Sequence, residues 1–189
     1  MSDLQERGKE KKRILKTKTL AFSALALALA FALSFVKLFS MPMGGSITLL
    51  SMLFVCLVGY WYGAKVGLIA AFAYGLLQLT INPFVISPPQ LITDYILAFG
   101  ALGLSGFFAG QKYGLVIGYL VGVTGRFFFS FLSGLLFFYM YAPEGMNAAL
   151  YSFLYNGSYM GVEAAITVVI ISLPPVAQAL RRVKVLAVD

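Results

Sequence analysis

The chain has 189 residues, of which 60% are hydrophobic and 11% charged, and its formal net charge is +7. So few charged side chains cannot cover a water-facing surface, which excludes a soluble single-domain enzyme or binding module. Seven of the 14 Lys and Arg lie between Arg7 and Lys18, and three more are Arg181, Arg182 and Lys184. Basic clusters at the two ends of an apolar body indicate membrane topology and contact with anionic lipid in a bilayer, and argue against nucleic acid as a partner.

A helix needs roughly 20 apolar residues to cross about 30 Å of hydrocarbon. In chain order, residues 1–18 read as a basic cytoplasmic segment, followed by a membrane domain over residues 19–176. The expected spans are Thr19–Val36, Thr48–Tyr62, Val66–Ile81, Leu91–Ala109, Leu115–Tyr139 and Ala149–Leu173. The N-terminus does not read as a cleavable signal peptide, because its apolar run is followed by further spans and ends at no small-x-small site. A basic cytoplasmic tail, residues 177–189, closes the chain.

The expected fold class is therefore an all-α integral membrane protein, a six-transmembrane-helix bundle with both termini cytoplasmic. With that topology 12 of the 14 basic residues fall on one side, leaving Lys37 outside and Arg126 within a span. A five-span arrangement would place one terminal basic cluster on the wrong side. The inner turns, Gly63 to Lys65 and Gly110 to Gly114, are short. The outer connections (Lys37 to Ile47, Asn82 to Gln90 and Met140 to Ala148) are longer and rich in Pro and Gly, as befits loops that build a binding site.

Within the first span, Ala24, Ala28 and Ala32 lie four apart on one face. That small-residue stripe reads either as internal packing or as a surface for a second membrane protein, and its length favours the second. Gly59, Gly63 and Gly67, and Gly114, Gly118 and Gly122, read as internal packing. Cys56 reads as a small buried hydrophobe. With no His in the chain a His/Cys metal site is excluded, and no cofactor is expected.

Intramembrane charges are costly and mark cavities or partners. Asp94 lies just inside the fourth span beside Tyr95, Arg126 lies in the fifth before Phe127-Phe128-Phe129, and Glu163 follows Asn156 by seven residues on nearly the same face of the sixth. One alternative is an Asp94–Arg126 structural ion pair. The other is a site for a flat, cationic or amine-bearing aromatic ligand, with a carboxylate to accept ring N–H bonds and aromatic faces to stack on it. Glu163 either lines the floor of such a pocket or pairs within the bundle.

Catalysis finds no support in a nucleophile elbow, an aspartate pair or a general base beside Ser130 or Ser133. There is no phosphate loop for ATP hydrolysis, and no inverted repeat of a self-contained secondary transporter. The chain reads as no enzyme.

Six segments, in order, carry a resemblance. They are Pro42-Met43-Gly44-Gly45-Ser46-Ile47-Thr48-Leu49, Tyr74-Gly75-Leu76-Leu77-Gln78, Asp94-Tyr95-Ile96-Leu97-Ala98-Phe99, Gly125-Arg126-Phe127, Tyr141-Ala142-Pro143-Glu144-Gly145 and Tyr151-Ser152-Phe153-Leu154-Tyr155-Asn156-Gly157-Ser158-Tyr159. They resemble the thiamine-specific S components of energy-coupling factor (ECF) transporters, over about Leu20 to Leu173. The resemblance implies a multi-pass protein of the bacterial plasma membrane. It would bind thiamine near the outer face and hand it to a membrane coupling protein with two cytoplasmic ATPases.

Carried over by position, Asp94 matches the acidic residue that bonds the aminopyrimidine, with Tyr95 beside it. Gly134, Tyr151 and Asn156 match pocket positions. Phe138 falls where relatives can carry a stacking tryptophan, and Ser130 where some carry histidine, so one hydrogen bond and some stacking area are missing here. Arg126 and Glu163 complete the expected site. Ala24, Ala28 and Ala32 resemble the surface that docks on the coupling protein. Met41 and Met43 would make an aliphatic lid contact. The expected function is thiamine capture and uptake. The alternatives are an S component for another flat vitamin or a thiamine precursor, or a non-transporting membrane scaffold.

Overall fold

The computed structural model describes residues 2–42, 45–81 and 83–188, with side chains from Lys16 onward. Met43 and Gly44 of the first outer loop, Asn82, and the basic side chains from Arg7 to Arg13 lie outside what is described. The first helix, α1, runs over Ser2–Ser34. A hairpin of β1 (Lys37–Ser40) and β2 (Ser46–Thr48) follows, then α2 (Ser51–Tyr62) and α3 (Ala64–Gln78). The remaining helices are α4 (Pro88–Phe108), α5 (Gly114–Phe137), α6 (Ala148–Ser172) and α7 (Pro174–Val188).

Seven helices thus stand among the described residues where six spans were expected. Four segments are long and apolar enough to cross a membrane: Lys16–Ser34 within α1, and the whole of α4, α5 and α6. The helices α2 and α3 are apolar but shorter. At roughly 1.5 Å per residue, α2 rises only about 18 Å. It sits at the centre of the molecule, with Met52, Val55, Cys56, Leu57 and Val58 at most 1% exposed. The hairpin continues the chain at its start, where a loop was expected.

The seventh helix folds a stretch expected as a tail. Apolar residues at helical spacing let Leu180, Val183 and Ala187 pack against the core, while Arg181 and Arg182 face outward. Lys184 fastens this helix: its ammonium lies 3.7 Å from the centroid of the Tyr60 ring and donates to the Ala109 carbonyl at 2.8 Å. Partial burial lowers its pKa from the ordinary lysine value. Tyr62 Oη adds a bond to the Ala187 carbonyl at 3.0 Å. The turns carrying Lys65 and Lys112 therefore share one end of the molecule with α7. The hairpin and the longer Pro- and Gly-rich loops gather at the other end.

Close helix contacts occur where glycine removes the side chain. A Cβ on Gly118 would lie 2.7 Å from the Ser105 carbonyl oxygen, and one on Gly122 would lie 3.0 Å from that of Leu102, so α5 rests directly on the backbone of α4. Gly59 and Gly67 serve the same packing between α2, α3 and α4. Gly63 does not. It has φ +84 and open space around it, so it is a turn residue between α2 and α3 rather than a packing position. We expect Gly118→Leu to cost at least about 1–3 kcal/mol through overpacking, read as a lowered thermal midpoint of the purified protein in detergent.

Candidate functional site

At the hairpin end, α3, α4, α5 and α6 enclose a cavity of about 200 Å³ whose outer wall is the hairpin. Asp94, Tyr95, Arg126, Ser130, Gly134, Phe138, Tyr151, Asn156 and Glu163 all line it. Ala24, Ala28 and Ala32 lie elsewhere, on an exposed face of α1, whereas Ala26 and Ala30 on the same helix are buried.

The start of α4 explains how Asp94 is presented. Ser87 caps the helix by accepting from the Gln90 N–H at 3.4 Å, and Pro88 and Pro89 occupy the first turn, where no N–H is needed. This starts the helix three residues before the expected Leu91. From Ile92 to Leu97 the helix widens into a π-helical segment, a form concentrated at functional sites. Gln90 Nε2 donates to Asp94 Oδ2 at 2.6 Å and to the Phe84 carbonyl at 3.1 Å, while Gln90 Oε1 accepts from the Ile86 N–H at 3.1 Å. Tyr95 Oη accepts from the Phe84 N–H at 2.9 Å. Together these bonds hold the α3–α4 loop so that the Phe84 ring lies against Phe138, with centroids 5.8 Å apart.

Arg126 directs its guanidinium over the Phe99 ring, 4.2 Å from the centroid. Phe99 packs edge-on to Tyr74 and beside Tyr95. Of the two sequence alternatives for Asp94 and Arg126, the structure gives each its own partner on the cavity wall: Gln90 for one, the Phe99 face for the other.

The α6 side is a polar lattice. Asn156 Nδ2 donates to the Ser130 carbonyl at 3.2 Å, to the Ser152 carbonyl at 3.0 Å and to Ser152 Oγ at 3.3 Å, and Asn156 Oδ1 accepts from Tyr159 Oη at 3.0 Å. Ser152 Oγ in turn bonds the Phe131 carbonyl at 2.8 Å. Gly134 permits this crossing, since a Cβ there would fall on Ser152 Oγ. Glu163 is tied to the other side of the cavity: Thr48 N–H and Oγ1 reach its Oε2 at 3.0 and 2.8 Å, and Ser51 Oγ reaches its Oε1 at 3.3 Å. It therefore both lines the cavity and bonds within the bundle.

Sequence reasoning missed several wall residues, among them Gln78, Phe84, Tyr155 and Tyr159. The last two carried a signal: Tyr151, Tyr155 and Tyr159 recur every four residues, one face of a helix. Their rings pack in series, Tyr151 tilted on Tyr155 and Tyr155 edge-on to Tyr159, with centroids 5.9 and 5.8 Å apart. Tyr155 also reaches the hairpin, accepting from the Gly45 N–H at 3.0 Å and donating to the Pro42 carbonyl. The cavity thus offers aromatic faces, two carboxylates (Asp94 and Glu163) and two cations (Arg126 and Lys37). That set suits a planar, polar, charged small molecule.

A family model described as thiamine transporter protein (Thia_YuaJ) matches residues 20–182. The chain belongs to this thiamine transporter family. The chain is similar to the thiamine transporter ThiT of Bacillus subtilis, at 34% identity over 148 residues, covering 71% of this chain and 77% of that protein. ThiT of Lacticaseibacillus paracasei is 30% identical over 122 residues, covering 55% of this chain and 60% of that protein. A solved structure of ThiT from Listeria monocytogenes superposes with a TM-score of 0.66 at 27% identity, covering 87% of this chain and 97% of that one. The resemblance to thiamine-specific S components drawn from six short segments agrees with this family across most of the membrane body.

Proposed function

We propose that this chain captures thiamine as the substrate-binding S component of an ECF transporter in the bacterial plasma membrane, with no catalytic step of its own. In this reading α1 to α6 are six spans, the hairpin end faces outward, and both termini are cytoplasmic. Residues 1–18 and 177–189 are basic cytoplasmic segments flanking the membrane domain of residues 19–176. The observation that carries the proposal is convergence. A chain of the thiamine transporter family brings Asp94, Tyr95, Phe138, Tyr151 and Asn156, drawn from two helices (α4 and α6) and the end of a third (α5), onto one cavity.

Thiamine joins an aminopyrimidine to a thiazolium cation. Asp94 would accept from the pyrimidine amino group, while Phe84, Phe138 and the tyrosine series would stack on the rings and face the cation. Ser130, Gly134 and Arg126 would shape the wall between them. Energy would come from a membrane coupling protein and two ATPases, docked through Ala24, Ala28 and Ala32. The test is mass spectrometry of the small molecules released from protein purified from cells fed thiamine. Thiamine at near-stoichiometric amount is expected. Recovery of a pyrimidine precursor or another vitamin in its place would transfer the site to that ligand.

A further inference from the structure

Glu163 sits midway along α6 and is 3% exposed. Its carboxylate takes hydrogen bonds from Thr48 N and Oγ1, Ser51 Oγ and, at 3.4 Å, Met52 N. These donors are the last residue of β2 and the first turn of α2, more than 110 positions away in the chain. Between them lies Leu50, the residue preceding α2, in the left-handed region at φ 63 with no side-chain cap. A leucine there is strained, and its apolar side chain cannot satisfy the N–H groups that the helix start leaves without intrahelical partners. The carboxylate of α6 takes one of them instead, the Met52 N–H, and it also meets the positive end of the helix dipole.

Two turns earlier on α6, Tyr155 bonds Gly45 and Pro42. One face of α6 thus grips the hairpin near its tip and again at its base. The hairpin needs that grip: β1 is exposed along its whole length, yet Lys37, Gly45, Ser46 and Thr48 form the cavity wall.

We propose that Glu163 is a positioning residue rather than a ligand contact: it fixes the Leu49–Leu50 hinge and so holds the hairpin as the wall that retains the ligand. The hinge follows from this geometry alone; the nature of the retained ligand rests on the thiamine reading.

Glu163→Gln in the full chain tests it, because the amide keeps one acceptor but presents N–H where Ser51 and Met52 also donate. In ligand-free protein, hydrogen exchange over residues 37–52 should speed up about tenfold while residues 114–137 are unchanged. Thiamine should then dissociate about tenfold faster, with its association rate within about threefold of the parent. A residue that merely stabilised the fold would raise exchange in both segments alike, and that result overturns the proposal, as does unchanged exchange in the hairpin. Thr48→Val, which removes a single donor, should move both readouts in the same direction by less, and covers the case in which Glu163→Gln does not fold. If the hairpin loosens selectively in a protein whose parent ignores thiamine, the hinge stands and the thiamine reading falls.

Discussion

Asp94→Ala is expected to weaken thiamine binding by about tenfold to a hundredfold, since a hydrogen bond to a charged group is worth roughly 1.5–3 kcal/mol. The loss should be local. Gln90, which holds one oxygen of Asp94, retains its bonds to Phe84 and Ile86, so the loop that carries Phe84 stays in place. Asp94→Asn keeps the shape and one acceptor but replaces the charge, and should fall between the parent and the alanine variant. Isothermal calorimetry on the three proteins measures the series. A change of less than about threefold for the alanine variant would remove Asp94 from the site, because it corresponds to well under the worth of such a bond.

Ala28→Leu is expected to abolish thiamine uptake while leaving thiamine binding unchanged. Ala28 lies on the exposed face of α1 between Ala24 and Ala32, one turn from each, and none of the three lines the cavity. Small residues at this spacing let helix backbones approach closely in lipid, where packing rather than water drives association. Leucine favours helix nearly as well as alanine, so α1 should survive while its face becomes too bulky for close contact. Uptake in cells that also carry a coupling module, compared with calorimetry on the purified variant, separates the two effects. Full uptake by the variant would place docking elsewhere, and loss of binding would mean that this face packs within the molecule.

The spans and the site were legible in different ways. Long apolar runs announced α1, α4, α5 and α6 because lipid requires about 20 apolar residues whatever surrounds them. Asp94, Arg126 and Glu163 stood out because a charge inside an apolar run needs a reason. The hairpin was hidden: Lys37–Ser40 and Ser46–Thr48 are too short for a strand pattern to emerge, and its hold on the molecule comes from Tyr155 and Glu163, far along the chain. The sequence left open whether Glu163 pairs within the bundle and did not reveal with what, because the caps that sequence reveals are local and this one crosses from α6 to α2. Gln90 was overlooked as part of a proline-rich loop, although a glutamine four residues before an intramembrane aspartate stands on the same helix face. The last helix was masked by its arginines, which face outward while Leu180, Val183 and Ala187 pack inward.

Binding of thiamine by the purified chain, without any coupling partner, is the most direct test of capture. Calorimetric titration is the suitable measurement, because the single tryptophan, Trp61, lies buried near the end of α2 remote from the cavity and would report little. The expected result is saturable, one-to-one binding well below millimolar thiamine, lost in Asp94→Ala. A folded protein that takes up no thiamine at millimolar concentration would contradict the account.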